Sequence, residues 1–295
     1  MQPWKRRSLA ARQRVFCTYM QRILTAVVLV PVVLLLIFYS PTQPLPLMGA
    51  IFVVAVLALW EYLGLADAMG AKTPRLVAVA ALAVLLATVF RRSDLVEPML
   101  GLLSLLLFLV CAFRSPVNRV LPDAAYSVLG LIYIGLPMSM LYLLSTRDNG
   151  SSLLLFLFFV VWSGDVAALY VGRAFGRWKL APTLSPNKTW EGSIASVAGS
   201  IVVTLLLIWL AGALAARNID VLSYPGGLLR WIGLAVLVNI GAQLGDLLES
   251  AIKRGAGFKD SGRLLPGHGG MLDRIDALLL AAPVLWYAQL AQQWF

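Results

Sequence analysis

The 295-residue chain reads as an all-α, polytopic integral membrane protein with about nine transmembrane helices and a cytoplasmic N-terminus. Three observations predict this. Hydrophobic residues make up 60% of the chain and charged residues 13%, far from the averages of soluble domains. The apolar residues run in unbroken stretches rather than at helix or strand spacing, with a mean hydropathy of +0.84. The cations gather in alternate gaps between those stretches.

Nine stretches can be drawn, at 23 to 40, 46 to 65, 76 to 90, 96 to 113, 126 to 145, 153 to 172, 193 to 214, 229 to 248 and 277 to 294. Most approach the ~20 residues that a helix needs to cross ~30 Å of hydrocarbon. The third is short, and Arg91, Arg92, Asp94 and Glu97 crowd the gap before the fourth. Lysine and arginine orient the set. With the N-terminus inside, the inner segments hold six before the first span, then two, two, four and five, which is 19 of the 24 cations. Pro31, Gly49, Gly130, Gly135 and Pro137 are ordinary membrane-helix residues that kink or admit close packing.

Residues 1 to 22 form a basic leader whose Trp4, Val15, Phe16 and Tyr19 let it lie at the interface, and residues 23 to 295 form one membrane domain. Cys17 and Cys111 have no metal-ligand or disulfide spacing. The net charge of +10 has two readings, the basic cytoplasmic loops of any membrane protein or attraction to anionic lipid and nucleotide phosphates; a nucleic-acid partner is not expected. The polar residues concentrate in two cytoplasmic cassettes, 173 to 192 and 249 to 276.

Three acids fall within or beside spans, where a carboxylate costs at least ~2.5 kcal/mol on insertion scales. Glu61 stands a turn from the end of its span, and snorkelling accounts for it. Asp165 lies about two turns inside its own and is harder to dismiss. In GAQLGDLLES, Gln243, Asp246, Glu249 and Ser250 share a helix face that Lys253 continues, and Asp273 and Asp276 repeat the pattern across the loop. Carboxylates from two helix ends, without cysteine or histidine, form a hard oxygen site that suits Mg²⁺. The alternative is a salt-bridge network with Lys253, Arg254, Lys259 and Arg274.

Gly255, Gly257, Gly262, Gly267, Gly269 and Gly270 let the connecting loop bring backbone amides to an anion, and with Lys253, Arg254, Lys259, Arg263 and Arg274 they form a phosphate cradle. His268 reads either as a base or as a donor that orients the loop. In the other cassette, Arg173, Arg177, Lys179 and Lys188 are phosphate-capable cations, and Ser185, Thr189 and the amides around Asn187 add donors. An ordinary basic connector is the competing reading.

The stretch from Ser250 to Asp276, S-x-I-K-R-x4-K-D-x-G-x2-L-P-x-H-G-G-M-x-D-R-I-D, resembles the signature of the phosphatidate cytidylyltransferase (CDP-diacylglycerol synthase) family, and SPNKTWEG, GRAFG and QLGD resemble its other landmarks. The likeness is dense over residues 160 to 280. After the aspartate of the sixth span this chain has Val166 and Leu169 where the family commonly has a small hydroxyl residue and a tyrosine.

The resemblance implies that CTP and phosphatidate give CDP-diacylglycerol and pyrophosphate, with Mg²⁺ held by Asp246 and Asp273 and the CTP phosphates met by the SPNKT segment. On these grounds the expected catalytic residues are Asp246, Asp273, Lys253, Lys259 and Arg274. Substrate contacts are expected from Arg173, Ser185, Asn187, Lys188, Thr189, Arg254, His268, Gly269 and Gly270, and metal contacts from Asp165, Asp246, Glu249, Asp273 and Asp276. A second cation such as K⁺ and a homodimer are both left open.

The expected partners are CTP, phosphatidic acid and the bilayer of the bacterial inner membrane, with the site facing the cytoplasm. A phosphate monoester has its second pKa near ~6, so the nucleophile is already ionised and the reaction needs charge neutralisation more than a base. Rival readings are a CTP-dependent lipid kinase, a cytidylyltransferase for another lipid phosphate, and an ion-coupled transporter using Asp165 and Asp246.

Overall fold

The computed structural model describes residues 27–262 and 269–291. The leader, Arg263, Gly267 and His268 lie outside the described residues. In chain order the helices are α1 (Val27–Tyr39), α2 (Pro44–Ala68), α3 (Arg75–Arg91), α4 (Val96–Arg114), α5 (Val120–Gly130), α6 (Leu136–Ser145) and α7 (Gly150–Phe175). They continue with α8 (Trp190–Ala215), α9 (Leu228–Gly255), the single turn α10 (Leu272–Ile275) and α11 (Leu278–Ala291). Among the described residues six segments are long and apolar enough to cross a membrane, Pro44–Ala68, Ser93–Arg114, Val117–Ser145, Gly150–Phe175, Trp190–Ala215 and Leu228–Gly255. The other three expected stretches coincide with α1, with the 17 residues of α3 and with the 14 of α11.

Two boundaries differ from the sequence reading. The fifth segment starts nine residues early, at Val117, and joins α5 to α6 through a five-residue π-helix, Leu131–Gly135. Glycines flank that irregularity for a packing reason: a Cβ on Gly130 would lie 2.7 Å from the Tyr62 ring and one on Gly135 2.9 Å from Leu85, so α2 and α3 pack against the bare backbone. The eighth helix runs on past residue 248 to Gly255, because the Glu249–Lys253 pair at i, i+4 supports another two turns. The cassette between residues 173 and 192 also departs from an all-helical chain, in an antiparallel hairpin of β1 (Lys179–Ala181) and β2 (Ser185–Thr189).

The helices form one cluster with a conventional core and an inverted exterior. Trp231 is buried with Phe156 and Tyr224 packed edge-on at 5.1 and 5.0 Å. Leu105, Phe113, Leu206 and Trp209 stay exposed on outer helix faces, as suits a hydrocarbon solvent.

Polar residues tie α7, α8 and α9 together inside. Asn239 donates to Ser196 at 2.9 Å and to Ser200 at 2.8 Å, Ser200 donates to the Val160 carbonyl, and Gln243 donates to Asn239 at 2.6 Å. Each donor has an acceptor, which a buried polar ladder in lipid requires. Gln243, aligned in the sequence with the acidic stripe, belongs to this ladder.

On its other side α9 packs against the start of α11 through Gly241 and Gly245, a small-xxx-small pair. A Cβ on Gly245 would stand 2.5 Å from the Asp276 carbonyl oxygen. The contact fixes where Asp246 meets Asp276. Gly245→Ala should therefore destabilise the detergent-solubilised protein by about 1–3 kcal/mol, as overpacking does. Gly233→Ala on the same helix, which meets nothing within 4 Å, should leave the thermal midpoint unchanged or higher.

Candidate active site

The last turns of α9 carry Asp246, Glu249 and Lys253 along one face, and Asp276 follows α10 directly opposite Gly245. Carboxylate oxygens of Asp246, Glu249 and Asp276 lie within 4.8 Å of one another. Glu249 is fully buried; its Oε2 pairs with Lys253, and its Oε1 has no hydrogen-bond donor among the described residues. Burial first, then the Asp246 charge and more weakly that of Asp165, push the Asp276 carboxyl well above the usual range. An orphaned buried carboxylate oxygen and mutually repelling acids in an all-oxygen set fit a hard divalent cation such as Mg²⁺.

The hairpin delivers a cation to the same place. Thr189 caps α8 by accepting from the Gly192 amide at 3.2 Å. Glu191 accepts from the amides of Arg177 and Trp178, closing the hairpin onto that helix. In β2 Pro186 and Asn187 are exposed and Lys188 is half-buried, with its Nζ 2.6 Å from Asp246 Oδ2. Arg254 reaches back from α9 to the Leu184 carbonyl at 3.4 Å. The SPNKT segment and the acidic helix end therefore meet, as a nucleotide site built from both cassettes requires. Thr189 serves the helix cap, and Ser185 is half-buried in the strand.

Asp273 takes a different place from the three clustered acids. Its Oδ1 accepts from Lys253 Nζ at 2.6 Å, and its Oδ2 accepts from the amides of Ser261 at 3.0 Å and Gly270 at 2.7 Å and from Ser261 Oγ at 2.9 Å. Asp246 meets Asp276 and Glu249, while Asp273 organises the loop and joins the cluster through Lys253 and through a direct interaction with the Glu249 carboxyl. That lysine, expected at a phosphate, is buried between Glu249 and Asp273. Burial pushes the Asp273 carboxyl up, but the hydrogen bonds with Lys253, with the Glu249 carboxyl and from the Gly270 amide outweigh it and hold the group at about 2. Gly269 needs its positive φ of 79° to aim the Gly270 amide. Arg173, Lys259 and Arg274 are exposed.

Glu61 does not snorkel. Its Oε2 accepts from the Leu272 amide at 2.9 Å and lies 3.0 Å from Ser261 Oγ, whose single proton it shares with Asp273 Oδ2, while its Oε1 has no donor among the described residues. The sequence signal was present in the cost of an acid within an apolar run. A partner 200 residues away is not visible from local spacing. Beside it, a cavity of about 470 Å³ is lined by Gly64, Leu65, Phe258, Lys259, Asp260, Ser261 and Gly262.

The family described as "Cytidylyltransferase family" matches residues 20–291. A phosphatidate cytidylyltransferase of Brucella suis biovar 1 (strain 1330) is 46% identical over 158 residues, 53% of this chain and 54% of that protein. One from Staphylococcus haemolyticus (strain JCSC1435) is 39% identical over 165 residues, 55% of this chain and 58% of that protein. The chain thus spans about half the length of the curated relatives it matches.

The depressed pKa of Asp273 has a consequence for acid stability. A carboxyl held at about 2 when folded, against an ordinary 3.8, contributes stability that is complete above the ordinary value and is lost as the pH falls toward 2. The thermal midpoint of the wild type should drop over that window, and Asp273→Asn should flatten this part of the profile while lowering the midpoint at pH 6.

Proposed function

Because the chain belongs to the cytidylyltransferase family, we propose that it transfers CMP from CTP to phosphatidate, giving CDP-diacylglycerol and pyrophosphate. The observation that carries this reading is the meeting of Lys188, from the hairpin, with Asp246 of the three-acid cluster on α9 and at the start of α11. A phosphate-capable cation and a divalent-metal ligand set share one point, as transfer between two polyanions needs. The likeness to relatives named phosphatidate cytidylyltransferase supplies the lipid substrate.

In this reading an ionised phosphatidate oxygen attacks the α-phosphorus of CTP. The bond to the pyrophosphate oxygen breaks, and that oxygen leaves with the electron pair. No side chain need take a proton. Asp246, Glu249 and Asp276 would hold Mg²⁺, which supplies charge neutralisation at the nucleotide phosphates when bound. Lys188 leaves Asp246 for the triphosphate, and Arg254, Lys259 and Arg274 stand near enough in the sequence to serve phosphate oxygens. Lys253 fixes Glu249 and Asp273 relative to one another. Asp165 adds negative potential beside the cluster.

The proposed topology has nine spans, with the N-terminus and both cassettes in the cytoplasm of a bacterial inner membrane. The distribution of lysine and arginine supports it. CTP then arrives from water and the lipid from the bilayer. Product analysis separates this reading from the kinase alternative, since a kinase releases CDP while this reaction puts cytidine on the lipid.

Purified protein given labelled CTP, Mg²⁺ and phosphatidic acid should yield a cytidine-bearing lipid and pyrophosphate; release of CDP with a newly phosphorylated lipid would overturn the assignment. Asp246→Asn and Asp276→Asn should each lower turnover by orders of magnitude, and Lys188→Ala should mainly raise KM for CTP. Near-normal Mg²⁺-dependent turnover in either aspartate variant would remove the metal assignment. For the topology, single cysteines placed at Val117 and Asp220 in a Cys17→Ser, Cys111→Ser background should react with an impermeant thiol reagent from the cytoplasmic and the outer side respectively.

A further inference from the structure

We propose that Glu61, on the second helix, is a positioning residue for the transfer reaction: it anchors the loop before α10 and, through Ser261 and Asp273, sets the Lys253–Glu249 pair beside the carboxylate cluster. The inference rests on the proposed cytidylyl transfer. It assigns a role to a residue outside both polar cassettes.

The chain of contacts is continuous. Glu61 Oε2 accepts from the Leu272 amide at 2.9 Å and from Ser261 Oγ at 3.0 Å. Ser261 touches Asp273 with both its amide and its hydroxyl, at 3.0 and 2.9 Å. Asp273 holds Lys253 at 2.6 Å, and Lys253 holds Glu249. Leu272 opens α10, the turn that ends at Asp276. One carboxylate oxygen on α2 thus grips both ends of the described loop, and both branches lead to residues of the cluster, one to Glu249 and the other to Asp276.

The loop glycines point the same way. A Cβ on Gly262 or on Gly270 would stand 2.7 Å from Glu61 Cδ, and the one on Gly270 would also collide with Ser261 Oγ. These two positions need glycine so that the loop backbone can close on the Glu61 carboxylate. That requirement is separate from any role in cradling phosphate. It also bears on an acid in an apolar helix, since the Leu272 amide and the shared Ser261 hydroxyl compensate Oε2, while Oε1 has no donor among the described residues. Groups that orient metal ligands from behind typically alter metal affinity or activity by about 10–100-fold when removed.

The test compares Glu61→Ala, Glu61→Gln and Ser261→Ala in the full-length protein, using hydrogen exchange, Mn²⁺ titration and steady-state kinetics. Glu61→Ala should speed amide exchange at Leu272 and weaken Mn²⁺ binding. It should lower kcat about 10–100-fold with KM for CTP within a few-fold. Glu61→Gln, which keeps an acceptor oxygen in the same place, should recover most of each loss even if the alanine variant is poorly folded. Glu61→Ala and Ser261→Ala combined should cost little more than the worse single change.

Unchanged Mn²⁺ affinity and kcat in Glu61→Ala would overturn the proposal, as would additive losses in the double variant or no recovery in Glu61→Gln. If the wild type makes no CDP-lipid, the proposed reaction fails. The exchange and Mn²⁺ measurements then still decide whether Glu61 positions the cluster.

Discussion

Three carboxylates crowded at the end of one helix and the start of another are the constraint to which the rest of this structure answers. Two like charges about 4 Å apart repel by about 4 kcal/mol at an effective dielectric of ~20. Asp246, Glu249 and Asp276 can be held together only by packing that leaves no choice and by cations that offset the charge. Gly241 and Gly245 provide the first by letting the α11 backbone ride on α9. Lys188 and Lys253 provide part of the second, each from a different element. The buried, undonated Glu249 Oε1 marks what they leave uncompensated.

The supporting parts are arranged around that cluster in layers of different polarity. Beneath it, the Asn239 and Gln243 ladder locks α8 to α9 and so fixes the point at which the hairpin leaves α8. Above it, Ser261 and Gly270 are held on Asp273, and Ser261 and Leu272 on Glu61. Around it, apolar side chains face outward. A carboxylate cluster at the ends of long apolar helices, met by Lys188 from the hairpin, suits the proposed transfer between a soluble nucleotide and a lipid phosphate.

Much of this was legible in the sequence because it is local. Apolar run length gave the helices, and i, i+3 and i+4 spacing placed Asp246, Glu249 and Lys253 on one face. Lys188 in SPNKT stands out in the sequence as a phosphate-capable cation, but its pairing with Asp246 does not. What was not legible depends on contacts between distant segments. Asp273 and Asp276 are three residues apart and look alike in the sequence, yet amides from Ser261 and Gly270 saturate one while Gly245 sets the other against Asp246. Spacing gave no sign of the hairpin, because β1 and β2 are three and five residues long. Glu61 is an isolated acid until the loop closes on it.

The most direct measurement is the position of a divalent ion in crystals of the protein grown with Mn²⁺, located by anomalous scattering. The account predicts an ion coordinated by side-chain oxygens of Asp246, Glu249 and Asp276, with Lys188 moved off Asp246. An ion bound elsewhere, or these three carboxylates found apart with Asp273 as the ligand in their place, would contradict it.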